Sequence, residues 1–420
     1  MLFRHILLIA LFSLCTSASA MAQASRVRIP SETELNRLGL TLNWWGQAAV
    51  SASQERVLFF TADEENVYVQ SDLGILTSFQ AESGKRLWSQ LVGRPNQQGF
   101  PPSAGEDDVL VSIGMRVYAF NKITGAPRWV LPLPSAASAP PKEDDQYLYV
   151  ATFDGMMRAY DVKVIRNLAH RGMLPQWANR SELWNYQMPR ASTAEPVTVD
   201  GEVVFASDGG YIYRISGPYK QLRFQLEAGA NLSAPITYSR DYVFASDARA
   251  RLLCMSINNG RLIWTYSSGS AIRDQPRVIG NQLFINVIRE GLTAIDVKTG
   301  LKLWEQPVAT KMVAASDTRV YATDFNNNLL ILDRATGQIK GQLRTADFTI
   351  QVANDRTDRI FLATPTGLVI ALRELGSEFP VYHLYPERRP ILPDLAPEEG
   401  AETEGATAPE KAEKTPGQDE

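Results

Sequence analysis

The sequence predicts an all-β protein, a single eight-bladed β-propeller made of four-stranded antiparallel blades. Two observations lead to this fold. A glycine and an aromatic residue end a unit about every 40 residues, and a pair of β-patterned runs precedes each ending, in eight copies. A β-sandwich would not repeat at a fixed period. Helical repeats need a periodicity of 3.6 residues, which the sequence lacks.

Several unit endings share one pattern, a glycine followed four residues later by a large aromatic residue. The closing positions are 41, 55, 40, 40, 40 and 37 residues apart and are occupied by Trp88, Trp129, Trp184, Phe224, Trp264, Trp304 and Gly341. The glycines ahead of them are Gly84, Gly125, Gly260, Gly300 and Gly337. Because a blade buries both faces against its neighbours, a flat indole near its outer strand fills the widening gap. We therefore expect five residues to be structural interblade residues: Trp88, Trp129, Trp184, Trp264 and Trp304.

The paired runs supply the strands of each blade. They are rich in Val, Ile, Tyr and Phe, as in EVVFASD with GYIYRIS and RVYATDF with NLLILDR. The Ser-Gly, Thr-Gly or Asn-Gly before the last strand suits a tight hairpin in which glycine takes a positive φ. A short preceding run, such as APITY or QPRVI, completes four strands per unit.

The two ends of the chain differ in composition from the repeats. Residues 1–24 have Arg4, an apolar stretch over 6–14 and small residues at A-x-A spacing, which is typical of a secretory signal peptide. Leu14 precedes Cys15 where a lipoprotein signal needs a small residue, so we expect periplasmic export without a lipid anchor, with outer-membrane association left open. The tail, 386–420, carries most of the acidity and is predicted to be disordered.

These features divide the chain into four parts. They are a signal peptide (1–24), an N-terminal docking segment with a short helix (25–50), the propeller (51–385) and the acidic tail (386–420). Ser31 with Glu34 forms a capping-box pattern for the short helix. The ring closes either with a strand from this docking segment or with VYHLY, residues 381–385. The net charge of −4 for the whole chain offers no electrostatic case for nucleic-acid binding.

An insertion between Asp161 and Trp184 explains the 55-residue interval and is expected to project from the ring. It is basic and includes an aromatic residue, so it is our first candidate for a partner-binding surface. Basic residues also interrupt the usual glycine turn of blade five. The partner-binding candidates are Arg166, His170, Arg171, Trp177, Arg249 and Arg251.

No set of side chains predicts catalysis, metal binding or cofactor binding. Cys254 is alone once the signal peptide leaves and lies in an apolar strand, so a buried, unreactive thiol is expected. Asp324, Asn326 and Asn328 resemble the start of a calcium loop but lack its later glycine and glutamate, which favours a hairpin turn. Aspartates that recur after the second strand of several blades are expected to cap turns.

The closing pattern resembles the A-x-D-x-x-T-G-K-x-x-W repeat of the pyrroloquinoline-quinone (PQQ) propeller family. Ala294, Asp296, Thr299, Gly300 and Trp304 match it, and the resemblance covers roughly residues 50–375. The dehydrogenases of this family use adjacent cysteines and a calcium site. This chain has no adjacent cysteines. In repeat number, length and export it resembles instead the BamB-type non-enzymatic scaffolds of the cell envelope.

This resemblance implies a function. We expect a non-enzymatic, monomeric ring that binds envelope proteins, without cofactor, nucleic acid or transmembrane segment, with a role in outer-membrane protein assembly left open. The alternative is a quinoprotein-type propeller that binds PQQ or another small ligand.

Overall fold

The computed structural model describes residues 27–94 and 97–384. The predicted signal peptide and acidic tail therefore lie outside the described residues. Within the described part, 32 strands form eight four-stranded antiparallel sheets, which confirms the predicted propeller. Three α-helices accompany them: α1 (Glu32–Arg37), α2 (Val162–His170) and α3 (Leu174–Trp177).

Seven blades are formed by four consecutive strands each. The first three consist of β2–β5 (Val57–Ala62, Asn66–Ser71, Ile75–Gln80, Arg86–Leu91), β6–β9 (Ser103–Ala104, Asp108–Ile113, Arg116–Asn121, Pro127–Pro132) and β10–β13 (Lys142–Glu143, Tyr147–Ala151, Met156–Asp161, Glu182–Gln187). Blades four and five consist of β14–β17 (Val197–Val199, Glu202–Ser207, Tyr211–Ser216, Leu222–Glu227) and β18–β21 (Thr237–Tyr238, Tyr242–Ser246, Arg251–Ser256, Leu262–Ser267). Blades six and seven consist of β22–β25 (Arg277–Ile279, Gln282–Val287, Gly291–Asp296, Lys302–Gln306) and β26–β29 (Lys311–Ala315, Arg319–Thr323, Leu329–Asp333, Ile339–Leu343).

The eighth blade joins the two ends of the described chain. Its inner strands are β30 (Ile350–Gln351), β31 (Ile360–Ala363) and β32 (Leu368–Glu374), and its outer strand is β1 (Leu40–Gln47) from the N-terminal side. β1 pairs antiparallel with β32, with Leu40 opposite Glu374. Of the two candidate closing strands, the structure uses the N-terminal one. Pairing with β1 covers the outer edge of β32 and completes the four strands of blade eight.

Helix α1 leads into this closing strand and docks on blades seven and eight. The Ser31 hydroxyl accepts a hydrogen bond from the Glu34 N–H, and the Glu34 carboxylate accepts one from the Ser31 N–H at 3.0 Å, so the capping box is present. Leu35 is fully buried among apolar residues of the last two blades, including Tyr321 and Phe348. The docking helix therefore fixes the direction in which β1 enters the ring.

The closing tryptophans connect each blade to the next. The indole of Trp88 lies against Gly125 of blade two, and the indole of Trp264 lies against Gly300 of blade six. The Nε1–H groups of these two indoles donate to the carbonyls of Lys122 and Val297, each at 3.0 Å. Glycine is required at these turns because its φ is positive, +69° at Gly125, and because a Cβ would overlap the indole.

Blade eight has the same connection through a residue that the repeat spacing did not identify. Trp44 on β1 lies against Gly84 of blade one, and its Nε1–H donates to the Ala81 carbonyl at 2.6 Å. In blade seven the closing position is Gly341, and the Leu38 side chain occupies the space beside it. The N-terminal segment thus supplies the apolar groups that blades seven and eight lack.

The insertion of blade three, residues 162–181, lies between β12 and β13, as the 55-residue interval indicated. From its length we expected the insertion to project from the ring. Its helices instead pack against the ring. Ile165, Leu168 and Leu174 are buried in one apolar cluster with Trp129, the closing tryptophan of blade two. The insertion therefore covers Trp129 where other blades use a glycine turn, and the Trp129 Nε1–H has no hydrogen-bond partner among the described residues.

Candidate functional site

The insertion is held on the ring by two buried carboxyl groups and the partly exposed arginines that pair with them. Arg166 on α2 donates to the carboxylates of Asp108 on β7 and Glu143 on β10, at 3.0 and 3.3 Å. Arg128 also pairs with Asp108, at 2.8 Å. Burial, together with the negative charge of Asp108, raises the pKa of Glu143 to about 8. Arg166, a predicted partner-binding residue, is thus placed in contacts within the chain.

The other predicted residues of the insertion are on its surface. His170 and Arg171 are exposed at the end of α2. Trp177 is 37% exposed, and the Arg180 guanidinium lies 4.0 Å from its ring centroid. This cation–π contact favours one arrangement of the two side chains on the outside of the ring, by about 0.5–1 kcal/mol at an exposed site. Large aromatic and Arg side chains that are held rigidly are the types that contribute most to protein–protein binding.

Arg249 and Arg251 lie elsewhere, in the turn between the second and third strands of blade five. The Asp247 carboxylate accepts the backbone N–H of both residues and pairs with the Arg251 guanidinium at 2.6 Å. The insertion follows the third strand of its blade, and successive strands are antiparallel. The two groups of candidates are therefore on opposite faces of the ring, and the structure does not bring them together.

The recurring carboxylates serve the turns. Asp324 accepts the backbone N–H groups of Asn326 and Asn328, each at 2.8 Å, and its second oxygen accepts from the Asn328 and Gln342 side-chain amides. Asp154 accepts the N–H of Met156 and pairs with Arg158. Their lone pairs are occupied by hydrogen bonds within the chain.

A cavity of about 1550 Å³ occupies the centre of the ring, and our sequence analysis had not identified its charged residues. Lys142 pairs with Glu195 at 3.1 Å, and Arg277 pairs with Asp355 at 2.9 Å. The Lys311 ammonium donates to the Gln351 carbonyl at 3.1 Å, and burial lowers its pKa.

The amino-acid sequence carries only a weak signal for these charged residues of the cavity. The innermost strand of most blades is short and begins with or follows a polar residue, as in PRVI and EPVTV. A single polar residue ahead of a short strand is too common to indicate a channel.

Helices of the described residues are all too short or too polar to cross a membrane. The Cys254 thiol is buried, and burial raises its pKa to about 12.

Comparison with known proteins places this ring in a family. The model of the family described as "Outer membrane protein assembly factor BamB" matches residues 72–217 and 176–373. The chain is similar to the outer membrane protein assembly factor BamB of Moranella endobia, with 22% identity over 74% of this chain and 84% of that protein. The factor of the same name from Shewanella oneidensis is 23% identical over 68% of this chain and 62% of its own length.

Solved structures agree on the fold. BamB from Moraxella catarrhalis superposes with a TM-score of 0.62 at 16% identity, covering 80% of this chain and 97% of that one. The computationally designed Ika8 protein reaches 0.61 at 14% identity, covering 77% and 98%. At these identities the structural likeness shows the propeller fold alone. The family match, however, extends over more than half of the sequence, so the chain belongs to the BamB family of PQQ-like β-propellers.

Proposed function

We propose that this chain is a non-enzymatic scaffold of the cell envelope that binds protein partners during outer-membrane protein assembly. The family match supports this proposal, because the relatives are named as outer membrane protein assembly factors. Export to the periplasm, association with the outer membrane and the absence of a lipid anchor belong to the same proposal and rest on the sequence of residues 1–24.

The surface of the insertion supports the proposal independently of the family match. Trp177 and Arg180 are stacked on helices whose other side is buried against blade two. A partner that binds there meets an aromatic and a cationic group already held in place, so little conformational entropy is lost on binding. His170 and Arg171 add positive charge next to them, which favours a partner with an acidic surface.

The experiment compares cells that lack this protein with cells that carry it or its variants. We expect loss of the protein to lower the amount of assembled β-barrel protein in the outer membrane. Wild type should restore that amount, and the double variant W177A/R180A should restore it poorly at equal expression. Y219A is the matched control, because Tyr219 is an exposed aromatic residue on blade four. An unchanged outer-membrane protein profile in the deletion strain would contradict the assembly role.

Point substitutions are preferable to removal of the insertion. A deletion of residues 164–180 would remove Ile165, Leu168 and Leu174 and uncover Trp129, so lost binding could reflect lost packing. The competing ligand-binding function has its own test. PQQ with calcium should leave the melting temperature unchanged, whereas clear stabilisation would favour a quinoprotein.

A further inference from the structure

The side chains that line the central cavity carry an excess of negative charge. Nine of them are acidic and five are basic, a formal excess of four negative charges. The acidic residues are Asp63, Glu64, Glu65, Glu82, Glu106, Asp145, Glu195, Asp355 and Glu378. The basic residues are Lys122, Lys142, Arg277, Lys311 and Arg356. The cavity is therefore complementary to a cationic ligand.

The basic side chains of the lining are already compensated within the ring. Four of the five lie against carboxylates at 2.9 to 3.7 Å: Lys122 against Asp63 and Glu65, Lys142 against Glu195, and both Arg277 and Arg356 against Asp355. The fifth, Lys311, donates to the Gln351 carbonyl and is attracted by Asp274. These cations therefore leave little positive charge to meet a ligand.

Exposed carboxylates stand at one mouth of the cavity. They are Glu65, Glu106, Asp145 and Glu378, which we call the acidic mouth. The first three lie in the turns between the first and second strands of blades one, two and three, and the fourth follows β32 of blade eight. Equivalent turns lie on the same face of a propeller, and these turns adjoin the innermost strands. The acidic mouth therefore surrounds the opening on that face.

Aromatic rings lie beside these carboxylates. Phe379 and Tyr382 both line the cavity, and Phe379 is 51% exposed. Tyr382 is held by a β-bridge to Thr357. Burial raises the pKa of Tyr382, and the charges of Glu64 and Glu82 raise it further, which places this ring near the acidic turn of blade one. A ring face next to carboxylates suits a Lys or Arg side chain, because both attract its charge.

The cavity is larger than the sites that hold small molecules. Its volume of about 1550 Å³ exceeds the roughly 300–1,000 Å³ of ordinary ligand pockets. The carboxylates of the acidic mouth belong to four different blades, so a ligand that meets all of them must extend across the opening. A polypeptide segment has that reach, since each extended residue adds about 3.3 Å.

We propose that the central cavity binds an extended segment of a partner protein through Lys or Arg side chains that pair with the acidic mouth. This inference rests on the proposed function as a protein-binding scaffold. It adds a second binding surface, separate from Trp177 and Arg180 of the insertion.

Fluorescence anisotropy with labelled peptides and the full chain tests this proposal. The probe is a peptide of four Lys-Ser-Gly repeats, and its control has glutamate in place of each lysine. We expect saturable binding of the lysine peptide and no binding of the glutamate peptide. The variant E65Q/D145N/E378Q should bind the lysine peptide about tenfold more weakly, because three exposed ion pairs are lost. The matched variant E32Q/E227Q/E305Q removes three exposed carboxylates outside the cavity and should bind like wild type.

A milder variant keeps the comparison independent of the triple substitution. D145N/E378Q leaves the Glu65–Lys122 pair in place, should melt like wild type and should bind the lysine peptide about fivefold more weakly. Equal binding by the cavity variants and the matched variant would overturn the proposal. So would the absence of saturable binding to wild type.

Spermidine distinguishes a small polyamine from a protein segment as the occupant. We expect it to displace the lysine peptide only in large excess, and displacement at equal concentration would overturn the assignment to a protein segment. The proposed function is tested separately. If the lysine peptide does not bind while the deletion strain still loses assembled β-barrel protein, the cavity proposal is wrong and the assembly role stands.

Discussion

Gly337 of blade seven lies directly against the indole of Trp304 from blade six: a Cβ added to Gly337 would come within 2.5 Å of Trp304 Cε3. The Trp304 Nε1–H donates to the Arg334 carbonyl of the same turn at 2.9 Å. The Asp333 carboxylate accepts the backbone N–H groups of Ala335 and Thr336 and so holds that turn. The Asp-x-x-Thr-Gly sequence of one blade is thus the receptor for the tryptophan of the preceding blade.

Substituting the receptor glycine should destabilise the ring more than its backbone conformation alone explains. Gly337 has φ +70°, and Gly201 has φ +71° with no atom within 4 Å of an added Cβ. We expect Gly337→Ala to lower the free energy of unfolding by about 2–4 kcal/mol, because strain and overlap with the indole add. Gly201→Ala, the matched control, should lower it by about 1 kcal/mol. Urea denaturation measures both, and equal losses would argue against the packing contact.

The indole hydrogen bonds should be separable from indole packing. Trp88 and Trp129 are buried to a similar extent, but only the Trp88 Nε1–H has a partner, the Lys122 carbonyl. Trp88→Phe should therefore lower the free energy of unfolding by about 1–2 kcal/mol more than Trp129→Phe, since both lose similar volume. Denaturation curves of the two variants give the comparison. A larger loss for Trp129→Phe would contradict this assignment.

Blade four has a lysine where five other blades have the receptor glycine. Lys220 takes a φ of +53°, which is unfavourable for a residue with a Cβ. Lys220→Gly should raise the free energy of unfolding by about 0.5–1 kcal/mol. Lys220→Ala is the control that removes the side chain but keeps the Cβ, and it should bring no gain. The midpoint of urea denaturation reports both, and a gain in the alanine variant would point to the side chain instead.

The charges under the insertion predict a pH dependence of stability. Glu143 has a folded pKa of about 8 against an ordinary 4.5, because burial and the charges of Asp108, Asp144 and Asp107 outweigh Arg166. A raised folded pKa means that the folded state holds this proton more tightly than the unfolded state. The contribution of Glu143 to stability is therefore fully present below about pH 4.5 and is lost as pH rises towards 8.

Glu143→Gln should remove this component. Between pH 5 and 8 wild type should lose up to about 4 kcal/mol relative to the variant, at about 1.36 kcal/mol for each pKa unit. Chemical denaturation at pH 5, 6.5 and 8 measures the difference. Parallel pH profiles of the two proteins would show that Glu143 ionises normally.

The repeat spacing was enough to predict the propeller, its eight blades and its four-stranded sheets, because each hairpin is encoded within about 15 neighbouring residues. The spacing did not identify Trp44 as the closing tryptophan of blade eight. That role depends on pairing between β1 and β32, which are more than 300 residues apart. The sequence could not decide between a closing strand from the docking segment and one from residues 381–385, because that choice also depends on long-range pairing.

The candidate site was less predictable than the fold. The insertion was located from one irregular interval, and its exposed residues His170, Arg171 and Trp177 were named. Its docking on Trp129, and the internal pairing of Arg166, depend on contacts with blade two that no local pattern encodes.

The central claim is that the repeated glycine and tryptophan act as one contact between blades, and a double-mutant cycle on Gly337 and Trp304 tests it most directly. Gly337→Ala, Trp304→Ala and the double variant are unfolded in urea beside wild type. If the indole is what the added methyl meets, the cost of Gly337→Ala should fall to about 1 kcal/mol in the Trp304→Ala background, a coupling of about 2 kcal/mol. Losses that add within about 0.5 kcal/mol would contradict the account, because the two residues would then stabilise the ring independently.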